Sequence, residues 1–276
     1  MQRILIPTDF SENSWNALIY GLELFKKEPC TFYLLNISPI PPYSGSGSSV
    51  KVMIEDKVLV EAKRSLQILR ERIDTYTKNK LYKFVTLANY DFFVDGIKRE
   101  VKEKKIDLII MGTKGASGLK KATMGSNTGD VITKVQCPLL AVPENTRYKP
   151  PREIAFPTDY HIGYDLKVLD TLIYMAQIHA SAIRIVHISK KGEVLTKEQE
   201  KNKEFLNDYL RGLDHTFHSL TGTKIEAAIQ CFIESRDVDM VAMVAKHINF
   251  FQRILFKPKV EEISYHTDVP FLVLHE

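Results

Sequence analysis

The sequence is poor in cysteine, and its cysteines do not form a redox or metal motif. The three residues, Cys30, Cys137 and Cys231, make no C-x-x-C pair. Three scattered cysteines favour reduced, mostly buried thiols over the disulfide framework of a small secreted domain. The eight histidines are scattered as well, so we predict no metal site built from protein side chains.

Long apolar runs and a strong charge of one sign are also absent. No run approaches the roughly 18 apolar residues that span a bilayer. The chain begins with the strand-like RILIP and shows no signal peptide. The net charge is only +4 over 276 residues, with Lys and Arg interspersed among Asp and Glu. We therefore predict a cytoplasmic protein with no membrane or nucleic-acid partner.

Two copies of one pattern make up the chain. RILIPTDF at Arg3–Phe10 recurs as EIAFPTDY 150 residues later, and DLIIMG at Asp107–Gly112 recurs as DMVAMV 132 residues later. Such self-similarity indicates a tandem duplication whose second copy is shorter. We place repeat 1 at residues 1–146 and repeat 2 at residues 152–276, with the Pro-rich PENTRYKPPR at the junction.

The shortening of repeat 2 has two predicted sources. About ten residues are missing opposite the loop PIPPYSGSGSSV of repeat 1. The second loss is predicted opposite FVDGIKREVKEKK, because Asp107 is 18 positions after Asn89, whereas Asp239 is only nine positions after Gln230. This alignment predicts that repeat 2 lacks its third helix.

Short β-branched apolar runs alternate with longer segments of helical periodicity in each repeat. Strands in repeat 1 are predicted near 3–7, 31–37, 83–88, 108–111 and 139–142, and helices near 12–25, 51–78, 93–104 and 127–135. Continuous apolar strands joined by helices predict a mostly parallel sheet that is covered on both faces. The predicted fold class is therefore α/β, with two tandem doubly wound domains.

Ligands of doubly wound sheets bind beyond the carboxyl ends of the strands, and three segments of repeat 1 meet there. PTDFS follows the first strand, NIS ends the second, and MGTKGASGLKKATMGS follows the fourth. The glycine-rich segment is not a dinucleotide fingerprint, because the first strand–helix turn has no glycine. It is not a Walker A loop either, because the chain lacks GK[ST].

The glycine spacing is G-x-x-G-x9-G-S, formed by Gly112, Gly115, Gly125 and Ser126. Glycine permits positive φ and a close backbone approach. The free N–H groups of such a loop, and of the helix that follows it, can bind phosphate oxygens. Taken alone, the same spacing also fits an ordinary turn.

Together, PTDFSENS, NIS and MGTKGASGLKKATMGSNTGDVITKVQCPLLAVPE resemble the universal stress protein family, and the resemblance covers both repeats. It implies that each domain is a three-layer structure of the adenine nucleotide hydrolase-like or flavodoxin-like type, with a five-stranded parallel sheet. It also implies an ATP-binding subgroup that keeps this glycine spacing. The expected cofactor is ATP, or else ADP or AMP, with Mg²⁺ on the phosphates.

The resemblance also implies the residues of the site. Asp9 would lie beside the nucleoside, Ile37 would face the adenine through backbone and side chain, and Met111 and Gly112 would flank the ribose and the α-phosphate. The phosphates would be wrapped by four residues: Gly115, Gly125, Ser126 and Asn127. Structural alternatives stay open, since Asp9 and Ser126 also fit helix caps and Ile37 also fits a rim position of the sheet.

Repeat 2 has lost the glycine loop. The positions of the three glycines and the serine hold Val244, His247, Lys257 and Pro258, and the phenylalanines 250, 251 and 256 lie nearby. A β-branched residue is poor at positive φ, so we expect repeat 2 not to bind ATP. The resemblance implies that PLLAVP and PFLVLH pair as an internal pseudo-dimer, which could itself form a homodimer.

These observations predict an ATP-binding regulatory protein of the stress response. The sequence has no Walker lysine and no evident base for activating water, so we assign no catalytic residue and expect a slow ATPase at most. One alternative is a scaffold or interaction protein with a structural glycine loop. Another is an enzyme that uses Asp9 and a histidine, which is disfavoured because no nucleophile–base pair can be assembled.

Overall fold

Parallel strands alternate with helices along the chain in the computed structural model. The structure describes residues 1–40, 48–113, 126–161, 166–189, 192–221, 225–245 and 269–275. The described residues divide into two compact units, unit 1 up to Glu144 and unit 2 from Asn145 onward. The fold class predicted from the sequence is confirmed, whereas the repeat bounds 1–146 and 152–276 stay predictions.

Unit 1 contains a five-stranded parallel sheet. Its strands are β1 (Gln2–Pro7), β2 (Cys30–Pro39), β3 (Tyr82–Asp91), β4 (Leu108–Gly112) and β5 (Leu139–Val142). Its helices are α1 (Glu12–Leu24), α2 (Ser48–Tyr76), α3 (Phe93–Lys104) and α4 (Ser126–Lys134). The strand order is β3-β2-β1-β4-β5, so β1 pairs with β2 on one side and with β4 on the other. The chain reverses its direction of travel across the sheet between β1 and β4, which is where such folds bind ligands.

Unit 2 repeats this order. Its strands are β6 (Glu153–Pro157), β7 (Ala182–Ser189), β8 (His215–Thr221), β9 (Met240–Val244) and β10 (Phe271–Leu274). Its helices are α5 (Asp170–His179), preceded by a 3₁₀ turn at Leu166–Leu169, α6 (Lys197–Tyr209) and α7 (Ile225–Ser235). The order β8-β7-β6-β9-β10 is parallel throughout and matches unit 1 strand for strand.

The central strands of both sheets are buried without alternation. All residues of β5, β9 and β10 are buried, as are the last four of β1 and of β6. Helices cover both faces of such strands, so neither face needs polar side chains. No helix among the described residues combines the length and the apolar character needed to cross a bilayer.

The predicted loss of the third helix from repeat 2 is wrong. Helix α7 lies between β8 and β9, in the place that α3 has in unit 1. The expectation rests on matching Gln230 with Asn89, which follows a strand, but Ile229, Phe232 and Ile233 are buried at helical spacing. Alanine, glutamine and glutamate are also good helix formers. The shortening falls between the second and third strands instead, where α2 has 29 residues and α6 has 13.

The imidazole of His275, just after β10, makes folding sensitive to acid. Burial lowers the pKa of His275 to about 4, whereas an unfolded histidine titrates near pH 6.5. The unfolded chain therefore takes up the proton first, so protonation favours unfolding. The free energy of unfolding consequently decreases as the pH falls from 6.5 towards 4. Between pH 7 and pH 4.5 the free energy of unfolding should fall further in the wild type than in His275→Phe. We expect the two falls to differ by on the order of 1–3 kcal/mol.

Urea unfolding at the two pH values measures this difference. The exposed His161 provides the control, because His161→Phe removes an imidazole from the surface of the same unit. Equal losses in the wild type and in His275→Phe would contradict the low pKa.

Candidate functional site

The candidate site lies at the carboxyl edge of the unit 1 sheet. Thr8 and Asp9 follow β1, Asn36 and Ile37 are near the end of β2, and Gly112 ends β4. Because parallel strands end at the same edge, residues far apart in sequence come together there. The edge is therefore assembled from three separate segments of the repeat.

The turn after β1 is held by the side chain of Thr8. Its Oγ1 accepts a hydrogen bond from the N–H of Phe10 at 3.0 Å and lies 3.1 Å from Oγ of Ser14. Its carbonyl accepts from Nδ2 of Asn36 at 2.8 Å, which ties the turn to β2. These bonds hold Phe10 in the left-handed region, with φ of 62°.

Asp9 is exposed and has a structural role of its own. Its Oδ1 accepts hydrogen bonds from the N–H of Ser11 at 3.1 Å and from Oγ of Ser11 at 2.6 Å. Ser11 is the N-cap of α1, since its side chain accepts from the N–H of Ser14. Asp9 is thus not the cap but the residue that orients it. The nucleoside role of Asp9 stays a prediction.

Unit 2 contains the same turn. Oγ1 of Thr158 accepts from the N–H of Tyr160 at 3.0 Å, and Oδ1 of Asp159 accepts from the N–H of His161 at 2.9 Å. Tyr160 has a φ of 59°, and Nδ1 of His187 donates to the Thr158 carbonyl at 3.0 Å, as Asn36 does in unit 1. The turn therefore forms in a copy whose sequence lacks the glycine loop.

Ile37 is partly exposed near the end of β2. A Cβ on Gly96 of α3 would lie 2.8 Å from Cδ1 of Ile37, so this side chain is packed against the start of α3. β1 pairs with β2 only as far as Leu35, whose carbonyl accepts from the N–H of Thr8. Peptide groups along a strand face its two neighbours in turn. The N–H and C=O of Ile37 therefore face the same side as those of Leu35, into the space beyond the end of β1.

The end of β4 has no room for a side chain at Gly112. Met111 is buried in the core, whereas Gly112 is partly exposed. A Cβ on Gly112 would lie 2.5 Å from Nδ2 of Asn13, which projects from the first turn of α1. Close packing with α1 thus accounts for glycine at this position.

The start of α4 is attached to the same strand end. Oγ1 of Thr128 donates to the carbonyl of Gly112 at 2.8 Å, although the two residues are 16 positions apart. Asn127 is exposed, and the first turn of α4 contains no acidic residue. The unpaired N–H groups of a helix start favour anions, so this geometry fits phosphate oxygens near Gly112.

Part of the predicted site cannot be placed. Gly115, Gly125 and the side chain of Ser126 lie outside the described residues, as do positions 247, 250, 251 and 256–258 of repeat 2. In the described part of the chain, no three His, Cys, Asp or Glu side chains lie close enough to hold a metal ion.

Sequence reasoning missed Asn13, Thr128 and Asn36, which join the strand ends to one another. Asn36 lies inside an apolar strand at NIS, and a polar side chain there is a usable signal for a buried hydrogen bond. Thr128 had a weaker signal, as a hydroxyl residue in the first turn of a helix. Nothing in the sequence indicated that Asn13 lies against Gly112.

Where the structure describes the carboxyl edge of unit 2, side chains of unit 2 cover the turn after its first strand. Val244 ends β9 in the place of Gly112 and is buried. The Tyr160 ring is buried against His187, with the two ring centres 4.8 Å apart. Nε2 of Gln199 and Nδ2 of Asn202 donate to the carbonyls of Asp159 and Tyr160, so α6 covers the turn.

Gly112→Ala tests the contact with Asn13. We expect it to lower the free energy of unfolding by about 1–3 kcal/mol, because a methyl group added to a filled site forces its neighbours apart. In an Asn13→Ala background the same substitution should cost less than half as much, since the obstructing amide is gone. Urea unfolding of the four proteins gives the coupling energy. An equal cost in both backgrounds would mean that the glycine is needed for another reason.

Comparisons with known proteins agree with this architecture. The universal stress protein family model matches residues 1–143, just over half of the 276-residue chain. A universal stress protein of Methanocaldococcus jannaschii is 27% identical over 154 residues, covering 51% of this chain and 81% of that protein. One of Bacillus subtilis is 26% identical over 145 residues, covering 51% of this chain and 97% of its own. The crystal structure of a universal stress protein from Archaeoglobus fulgidus has the same fold over 99% of this chain and 98% of its own, with a TM-score of 0.70 and 18% identity.

Proposed function

This chain belongs to the universal stress protein family, and from that premise we propose that it is a regulatory protein of the stress response that binds ATP in repeat 1 alone. The observation that carries the proposal is the meeting of three strand ends and two helix starts at the switch point of unit 1. ADP or AMP would occupy the same site, and Mg²⁺ would bridge the phosphates.

The strand ends offer groups that suit adenine. The peptide N–H and C=O of Ile37 face the space beyond β1. Adenine presents an acceptor at N1 next to a donor at its amino group, which complements such a peptide pair. Guanine presents a donor at N1 next to an acceptor at O6, so the same pair would repel it. Asp9 would then lie on the ribose side of the base.

The phosphates would lie between the end of β4 and the start of α4. At Gly112 the backbone is not shielded by a side chain of its own, and Thr128 holds the helix start beside it. Gly115, Gly125, Ser126 and Asn127 would complete the cradle with backbone N–H groups and two polar side chains. This assignment rests on the glycine spacing for the residues outside the described ranges.

Repeat 2 would contribute to assembly and not to binding. Val244 occupies the position of Gly112, and Tyr160 fills the space beside the turn. The chain would therefore bind one nucleotide, in repeat 1. Repeat 2 would be the partner of repeat 1 in an internal pseudo-dimer. A cytoplasmic location, predicted from the sequence, completes the proposal, and the pseudo-dimer could itself form a homodimer.

A scaffold protein with a structural glycine loop is the second candidate. The turn that contains Asp9 favours this second candidate, because unit 2 forms the same turn. In both units the aspartate accepts a hydrogen bond from the N–H two residues later, from Ser11 to Asp9 and from His161 to Asp159. The aspartate alone therefore does not require a nucleotide. Direct binding measurements separate the two candidates.

Mg-ATP should stabilise the wild-type chain. A ligand that binds only the folded state adds about 2.7 kcal/mol at a hundredfold excess over Kd, which a thermal melt detects. We expect one site per chain by titration calorimetry, and Gly115→Val should abolish both signals because valine resists positive φ and fills the cradle. Gly192→Val is the control, since Gly192 has a φ of +82° with open space around it. No response to ATP, ADP, AMP or a cyclic nucleotide would favour the scaffold.

GTP should bind about 5- to 150-fold more weakly than ATP. A site that reads a donor–acceptor pair leaves its own groups unpaired against the wrong base, which costs about 1–3 kcal/mol. Competition of GTP against a fluorescent ATP analogue measures the ratio. Equal affinities would remove Ile37 from base recognition.

A further inference from the structure

The two units carry an aromatic residue at the same point of the same turn, but they bury it differently. Phe10 and Tyr160 both follow the aspartate, with φ of 62° and 59°. Each donates its N–H to a threonine hydroxyl two residues earlier at 3.0 Å. The side chain of Tyr160 is 1% exposed, whereas Phe10 is 37% exposed. The backbone is thus the same, and the surroundings of the ring differ.

The strands beside the turn explain the difference. In unit 2, Tyr160 stacks on His187 at 4.8 Å and an interplanar angle of 22°, and Phe217 lies 6.3 Å away. Burial raises the pKa of Tyr160 to about 12. In unit 1 the position of His187 holds Asn36, which makes the same bond to the threonine carbonyl.

Strand register gives the second equivalent position. Ile185 pairs with Phe217 in unit 2, and the matching Leu34 pairs with Thr86 in unit 1. Neither Asn36 nor Thr86 has a ring. Among the residues that the structure describes, no aromatic ring pairs with Phe10.

An exposed aromatic ring at positive φ adds little to folding. Glycine, asparagine or aspartate would adopt this backbone at lower cost, and burial of the ring supplies no full compensation in unit 1. Phe10 directly follows Asp9 in the chain, at the strand end where the peptide groups of Ile37 face the space beyond β1. A flat ligand at this edge would supply the partner that His187 supplies in unit 2.

We propose that Phe10 is the side chain on which the nucleobase stacks in unit 1. This assignment rests on the proposed function and extends it, because it divides recognition of the base between two groups. The ring binds the face of any base, since every base has a π-face. The peptide of Ile37 reads the edge and provides the selection for adenine.

The test compares Mg-ATP with inorganic triphosphate, which has the same phosphates but no base. Titration calorimetry on the full chain gives both Kd values for the wild type and for Phe10→Ala, Phe10→Tyr and Phe10→Leu. Loss of a base–aromatic stack raises Kd about tenfold. We expect that increase for ATP in Phe10→Ala and a partial one in Phe10→Leu, with Phe10→Tyr unchanged and triphosphate binding the same in all four proteins. Phe205→Ala, which removes an exposed phenylalanine of unit 2, should behave as the wild type.

Several results would overturn the assignment. If the wild type binds Mg-ATP and Phe10→Ala binds it equally well, Phe10 does not contact the base, although the proposed function stands. If Phe10→Leu retains full affinity, the contact is apolar packing and not stacking. If Phe10→Ala weakens the binding of ATP and of triphosphate to the same extent, Phe10 affects binding through the conformation of the turn and not through contact with the base. A wild type that binds no nucleotide would refute the proposed function itself.

Discussion

Pairing of β1 with β2 on one side and with β4 on the other is the constraint on which the site depends. The order places the last residues of three strands at one edge, and β1 stops two residues before Ile37 is reached on β2. A short central strand beside a longer neighbour leaves peptide groups of the neighbour without a ladder partner. Two helices contact the end of β4 at Gly112, α1 through Asn13 and α4 through Thr128.

The duplicated chain separates what the fold needs from what a ligand would need. Both units keep the threonine and aspartate bonds of the turn after the first strand, so these bonds belong to the fold. Only unit 1 has a glycine at the end of the fourth strand, and in the turn after the first strand only unit 1 leaves the aromatic ring exposed. Unit 2 uses the equivalent positions for buried contacts, including the stack of Tyr160 on His187.

Most of the fold could be predicted from the sequence because apolar periodicity directly reflects burial. The five strands of unit 1 fall within three residues of their predicted ends, since β-branched runs bounded by turn residues have few other interpretations. Helix α7 was missed because Gln230 was matched with Asn89 at a strand end, and a short apolar segment such as IEAAIQ fits either a strand or a helix. The contacts of Asn13 with Gly112 and of Asn36 with Thr8 join residues far apart in the chain, and spacing along a sequence contains no information about them. The exposure of Phe10 could not be predicted either, because it depends on residues 36 and 86 of neighbouring strands. These are Asn36 and Thr86, whose side chains have no aromatic ring.

The close approach of Asn13 to Gly112 also limits how the second copy could have diverged. A valine at the strand end would clash with an asparagine at this point of the first helix, because even a single added carbon lies 2.5 Å from the amide nitrogen of Asn13. Unit 2 has the valine, and its sequence has Gly163 at the position 150 residues after Asn13, so no amide side chain stands there. We therefore expect the asparagine to have been lost before the glycine, or together with it. Among descendants of the same duplication, residues at these two positions should vary as a pair. The two positions alone would then indicate the order of the substitutions in a repeat that has lost the glycine loop.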